Sequence, residues 1–102
     1  MIVNLSAHAA TVIQADDCTR LSVSSSLRGD ELVKALQTTG SGRLREDGDV
    51  DLAVTRLHQY AIAESVGEDW PQRWQKMVDY AALHSWLSID GEFLRAHVEA
   101  PR

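Results

Sequence analysis

The apolar residues of this chain repeat with two different periods, and that alternation fixes the class of fold. Around residues 29–39, 54–64 and 70–85 they recur every three to four positions, as on one side of a helix. Around 19–25 and 93–99 they alternate with polar residues, as on one side of a half-buried strand. Both kinds of element must share one core, because 102 residues amount to a single domain of ordinary size. The expectation is an α+β fold over residues 1–102, with antiparallel hairpins packed on one face by about three helices. A composition of 44% hydrophobic and 25% charged residues suits such a core and argues against disorder.

Local signals place the elements. Residues 10–14 and 19–25 form two strands of an expected antiparallel hairpin, joined through Ala15-Asp16-Asp17. The next helix buries Leu32, Val33, Ala35 and Leu36, carries Asp30 and Glu31 in its first turn, and stops at Gly40. Asp47-Gly48 marks a second hairpin. A three-residue loop, Glu46-Asp47-Gly48, pairs Leu44 with Val50, Arg45 with Asp49 and Arg43 with Asp51. Apolar then meets apolar and each charged pair is opposite in sign. Val54, Leu57, Tyr60 and Ala61 mark a helix over 54–64. A third begins at Trp70, with Asp69 as N-cap and Pro71 in the first turn, and its inner face runs through Trp74, Met77, Val78, Ala81 and Ser85. A two-residue turn at Asp90-Gly91 sets Leu87 opposite Leu94 and Trp86 opposite Arg95. Leu94, Ala96 and Val98 then face the core, while Phe93, Arg95, His97 and Glu99 face outward.

Charge and cysteine usage exclude several functions. Fifteen acidic residues against ten basic ones give a net charge of −5, spread over both halves with no basic run. Nothing supplies the cationic patch on which nucleic-acid affinity rests, nor a basic membrane-surface helix. No apolar run approaches the ~18–20 residues of a membrane span. With Cys18 alone, no intramolecular disulfide and no cysteine-built zinc site can form. The lone thiol and the lack of a basic, apolar leader at residues 1–10 point to the cytoplasm.

No motif names a reaction. Asp16 and Asp17 beside Cys18 disfavour its thiolate, and Ser85 next to His84 lacks the surrounding glycines of a nucleophile elbow. Gly40-Ser41-Gly42 leads into a strand and not into the helix N-terminus that a phosphate loop needs. His8, His58, His84 and His97 show no pair at the three- or four-residue spacing of helical metal ligands. No catalytic residue, metal or cofactor is therefore assigned.

One constellation stands out. Arg95, His97 and Glu99 share the outer side of the last strand with Phe93, and Trp86 lies opposite Arg95. An arginine, an imidazole and a carboxylate in a row can hold a charged partner, and aromatics anchor interfaces. Trp70, at a helix start among Glu68, Asp69 and Pro71, is a further candidate for that face.

The second half also resembles a winged helix in element order: helix, short strand, two helices and a two-stranded wing over 86–98. The resemblance implies a transcriptional regulator whose third helix reads DNA. The solvent side of that helix, however, sets Arg73 and Lys76 among Glu68, Asp69, Gln72, Gln75 and Asp79. The expected function is a small, soluble, non-catalytic binding or accessory module, engaging a protein partner or a second copy of itself. The alternatives are the winged-helix-like regulator and a small-ligand-binding protein or enzyme using the Arg95/His97 face.

Overall fold

A computed structural model describes residues 1–101 and shows an α+β fold. Strands β1 (Ile2–Leu5), β2 (Ala10–Ile13), β3 (Ser22–Ser24), β4 (Gly42–Leu44), β5 (Val50–Ala53) and β6 (Phe93–Glu99) form one sheet in the order β2-β1-β3-β6-β5-β4. Helix α1 (Asp30–Thr39) follows β3, while α2 (Val54–Glu64) and α3 (Trp70–Leu83) lie between β5 and β6. None of the helices is long and apolar enough to cross a membrane.

The expected first hairpin is not formed. β2 pairs with β1, through a turn closed by the Ser6 N–H donating to the Ala9 carbonyl at 2.9 Å. β3 instead runs parallel to β1 on one side and to β6 on the other. The sheet is therefore mixed and not purely antiparallel. The register explains the choice. Val3, Val12, Val23 and Val98 align across four strands, with the first three fully buried on the core side. A hairpin between β2 and β3 would leave Val3 and Leu5 without that row.

The second hairpin follows its turn chemistry. Arg43 faces Asp51 and Leu44 faces Val50, and Gly48 takes the left-handed conformation at φ 91°. The Arg45 N–H donates to the Asp49 carbonyl at 2.8 Å, which closes a three-residue loop. β5 then pairs antiparallel with the first half of β6, aligning Val50 with Ala96, Asp51 with Arg95 and Leu52 with Leu94. One side of this three-strand unit is buried and the other is charged, as period-two alternation requires.

The helices supply the other wall of the core. Leu32, Ala35 and Leu36 of α1 and Leu57 and Ala61 of α2 are buried. α1 packs on β4, and α2 packs on β2 and β5. In α3, Trp70, Trp74 and Ala81 are buried, whereas Met77 and Val78 are only half covered. Trp70 is 1% exposed, and its indole N–H donates to the Ala15 carbonyl at 2.7 Å. That bond satisfies the one polar atom of the largest side chain in the core. Asp69 stands at the N-cap of α3 but makes no side-chain cap; its carboxylate meets Arg73 at 3.1 Å. Ser85 does not continue the helical face: α3 ends at Leu83, and Ser85 turns left-handed at φ 62°.

Two further expectations change at the C-terminal half. Leu87 bridges Leu94 in the expected register, but residues 86–89 form that single bridge and no strand. Asp90 is not at positive φ, so the turn is not the two-residue type. Its carboxylate instead accepts from the Ser88 hydroxyl at 2.6 Å and the Glu92 N–H at 3.0 Å, widening the loop to 89–92. The winged-helix likeness also ends here. β6 is an interior strand paired on both sides, so no free wing projects from the domain.

Candidate functional site

The outer face of β4, β5 and β6 carries a cross-strand lattice of charges. Asp51 sits between Arg43 and Arg95 in the register and accepts from Arg43 Nε at 3.3 Å and Arg45 Nη1 at 3.1 Å. One step along, Asp49 accepts from Arg95 Nε at 2.7 Å through Oδ2 and lies 2.8 Å from His97 Nδ1 through Oδ1. A carboxylate can only accept, so His97 presents a protonated Nδ1 to it. Asp47, at the loop, joins Arg45 at 3.3 Å and Arg95 at 2.8 Å. The Arg43 guanidinium covers the Phe93 ring at 4.1 Å from its centroid, a cation–π contact on the same face.

Asp47 and Asp49 are held ionised by these neighbours. Burial pushes the Asp49 carboxyl up, but hydrogen bonds from Arg95 and His97 more than offset it and leave it below the ordinary range. Asp47 is lowered first by the Asp49 backbone N–H and then by Arg45 and Arg95. Bonding to Asp51 and Asp47 raises Arg45. Each of the three carboxylates has at least one arginine partner.

Beside the lattice stands an aromatic ledge. Tyr80 and His84 are one helical turn apart at the end of α3, with ring centroids 4.3 Å apart. Ser85 then reverses the chain: its N–H donates to the Ala82 carbonyl and the Trp86 N–H to the Ala81 carbonyl, a Schellman arrangement. The reversal lays Trp86 on His84, 4.7 Å between centroids and 20° between planes. Trp86 is joined to β6 by the Arg95 N–H, which donates to its carbonyl at 2.8 Å. Tyr80 is 56% exposed and Trp86 42% exposed, with Leu83 and Ile89 more exposed still.

Of the residues expected on this face, Phe93, Arg95 and His97 lie on it, with Arg95 and His97 joined through Asp49, and Trp86 adjoins it through its backbone bond to Arg95. Glu99 lies further along β6 beside Ser24 and makes no ion pair among the described residues. Trp70 is not on the face: it is interior, and stacks on Trp74 with His58 beside both rings. The expected Arg45–Asp49 charge pair is a backbone pair only; Arg45 reaches diagonally to Asp47 and Asp51 instead. From the sequence, Asp47, Asp49, Tyr80 and His84 are not assigned to the contact face. The four-residue spacing of Tyr80 and His84 is a signal that could have placed them together. Cys18 is half-buried, and burial, ahead of Asp17 and Asp16, raises its thiol above the ordinary value.

No family model, no curated protein and no solved structure matches this chain.

Proposed function

We propose that this chain is a small non-catalytic binding module. Its contact surface is the outer face of β4, β5 and β6 together with the ledge of Tyr80, His84 and Trp86. The observation that carries the reading is the solvent-exposed Trp86, stacked on His84 and tied to Arg95 of the charged lattice. An exposed aromatic beside arginines is the composition of an interface centre, where desolvated rings supply affinity and the charges set orientation. The partner is a protein or a second copy of the chain. A duplex nucleic acid is disfavoured by the net charge of −5, and a DNA-reading wing is disfavoured by the interior position of β6. The partly buried free thiol of Cys18 suits a reducing compartment such as the cytoplasm.

The test is light scattering over a concentration series, combined with capture of partners from native lysate by wild-type and Trp86→Ala protein. A surface of this kind gives assembly or capture that Trp86→Ala loses while the variant stays folded, with at most a small drop in melting temperature. A monomer at all concentrations, with capture identical for both proteins, would remove this face from consideration.

A further inference from the structure

On the far side of α2 lies a second concave surface of a different chemical character. A depression of about 480 Å³ is framed by the β1–β2 turn, the end of α1 and the first turns of α2. Its polar lining is His8, Gln37, Thr38, Thr39, Arg56 and Tyr60, and none of the nine residues around it is acidic. In a chain with a net charge of −5, that is a local reversal of sign.

Arg56 is the centre of this surface. Arg43, Arg45, Arg73 and Arg95 all reach carboxylates, whereas Arg56, like Arg20 and Arg28, has no carboxylate partner among the described residues. Its guanidinium lies over Gly40, with Nη2 only 3.0 Å from where a β-carbon would stand. Glycine at φ 67° therefore both ends α1 and leaves the room that the guanidinium occupies. Tyr60 adds a hydroxyl whose present bond, to the Thr39 carbonyl, is long at 3.4 Å and easily exchanged. The Gly40 and Ser41 N–H groups already cap the Gln37 and Leu36 carbonyls, which reduces the negative potential of the helix end.

We propose that this depression is a binding site for a phosphoryl group, carried by a small phosphomonoester. Arg56 supplies the two-pronged donor that fits phosphate oxygens, and Tyr60, Thr38, Gln37 and His8 offer further donors from three separate elements. A carboxylate would leave most of these donors unused. The depression is broad and open to solvent, so a phosphoryl group can reach Arg56 while the rest of its ester extends outward.

Two-dimensional amide NMR of the whole chain, at constant ionic strength, tests this with glycerol 2-phosphate, inorganic phosphate, acetate and chloride. Glycerol 2-phosphate is expected to shift the His8, Thr38 and Gly40 signals saturably, with inorganic phosphate weaker and chloride without effect. A tighter response to inorganic phosphate than to the ester would keep the phosphoryl site and overturn the ester as its source. Arg56→Gln should weaken binding at least tenfold, and Tyr60→Phe about threefold, with Tyr60→Phe serving alone if Arg56→Gln does not fold. No saturable shift, equal shifts with acetate or chloride, or binding untouched by both substitutions would overturn the proposal. In that case Arg56 is only a counter-charge to the end of α1.

Discussion

Asp49 grips His97 across the β5–β6 pair, Oδ1 to Nδ1 at 2.8 Å, although 48 residues separate them in the chain. The same carboxylate holds Arg95 with its other oxygen at 2.7 Å. Asp49 is largely buried, while His97 is 79% exposed. The acid is thus the fixed point of the outer face, and the imidazole is its adjustable arm.

Asp49→Asn is expected to lower stability by about 1–2 kcal/mol, since the charge-assisted hydrogen bond from Arg95 is lost but both partners, Arg95 and His97, keep access to water. The pH dependence follows from the lowered carboxyl of Asp49, where burial is outweighed by Arg95 and His97. A carboxyl lowered in the folded state adds stability in full above its unfolded value, about pH 4, and loses it as pH falls through the lower folded value. Urea melts between pH 7 and pH 2 should therefore show wild type losing stability more steeply in acid than Asp49→Asn. Parallel curves would mean that Asp49 is not specially held.

The tryptophans should separate by role. Trp70→Ala removes a fully buried indole and strands the Ala15 carbonyl, so a loss of ~3–5 kcal/mol is expected. Trp86→Ala removes a ring that is 42% exposed and should cost about 1 kcal/mol or less. Thermal melts of both variants decide the matter. Similar losses would place Trp86 in the fold and not in a contact surface.

What the sequence disclosed depended on how local each cause was. The Glu46-Asp47-Gly48 loop and the end of α1 at Gly40 rest on left-handed glycines, and a few neighbouring residues suffice to read them. The inward side of β6 was legible for the same reason, from the alternation of Leu94, Ala96 and Val98. Parallel pairing has no such signature. Val23 alternates with serines whatever lies beside it, so its neighbours Val3 and Val98 could not be inferred from its own segment. The candidate face failed at the same step: Arg95 and His97 were visible on one strand, but Asp49 reaches them only because β5 lies beside β6. Asp90-Gly91 misled for a different reason. The Asp90 side chain bonds Ser88 and Glu92, and those bonds hold the wider loop.

Ser85→Gly should stabilise the protein. Ser85 occupies the position after α3 where glycine is usual, at φ 62°, and its hydroxyl has no hydrogen bond among the described residues. The left-handed conformation costs a residue with a β-carbon roughly 1–2 kcal/mol, and glycine gives back about 0.5–1 kcal/mol through its freer unfolded chain. A net gain of about 0.5–1 kcal/mol in urea denaturation is expected, without change at Trp86. A loss of stability would show that the turn onto the aromatic ledge needs the serine.

Gly42→Ala should be the most damaging small substitution on the charged face. A β-carbon at Gly42 would stand 2.0 Å from the Asp51 carbonyl oxygen and 3.0 Å from Leu52 Cα. Those atoms belong to the backbone of β5, so no side-chain rotation can make room, and β4 has to move away from its neighbour. Asp51 would then lose its arrangement with Arg43 and Arg45. Overpacking of this kind costs ~1–3 kcal/mol. Gly48→Ala is the control: at φ 91° it has open space around it, so it carries backbone strain alone. Amide hydrogen exchange should show lost protection along Gly42–Leu44 and Val50–Ala53 in Gly42→Ala, but only at the loop in Gly48→Ala. Equal protection in both variants would mean that β4 does not lie this close to β5.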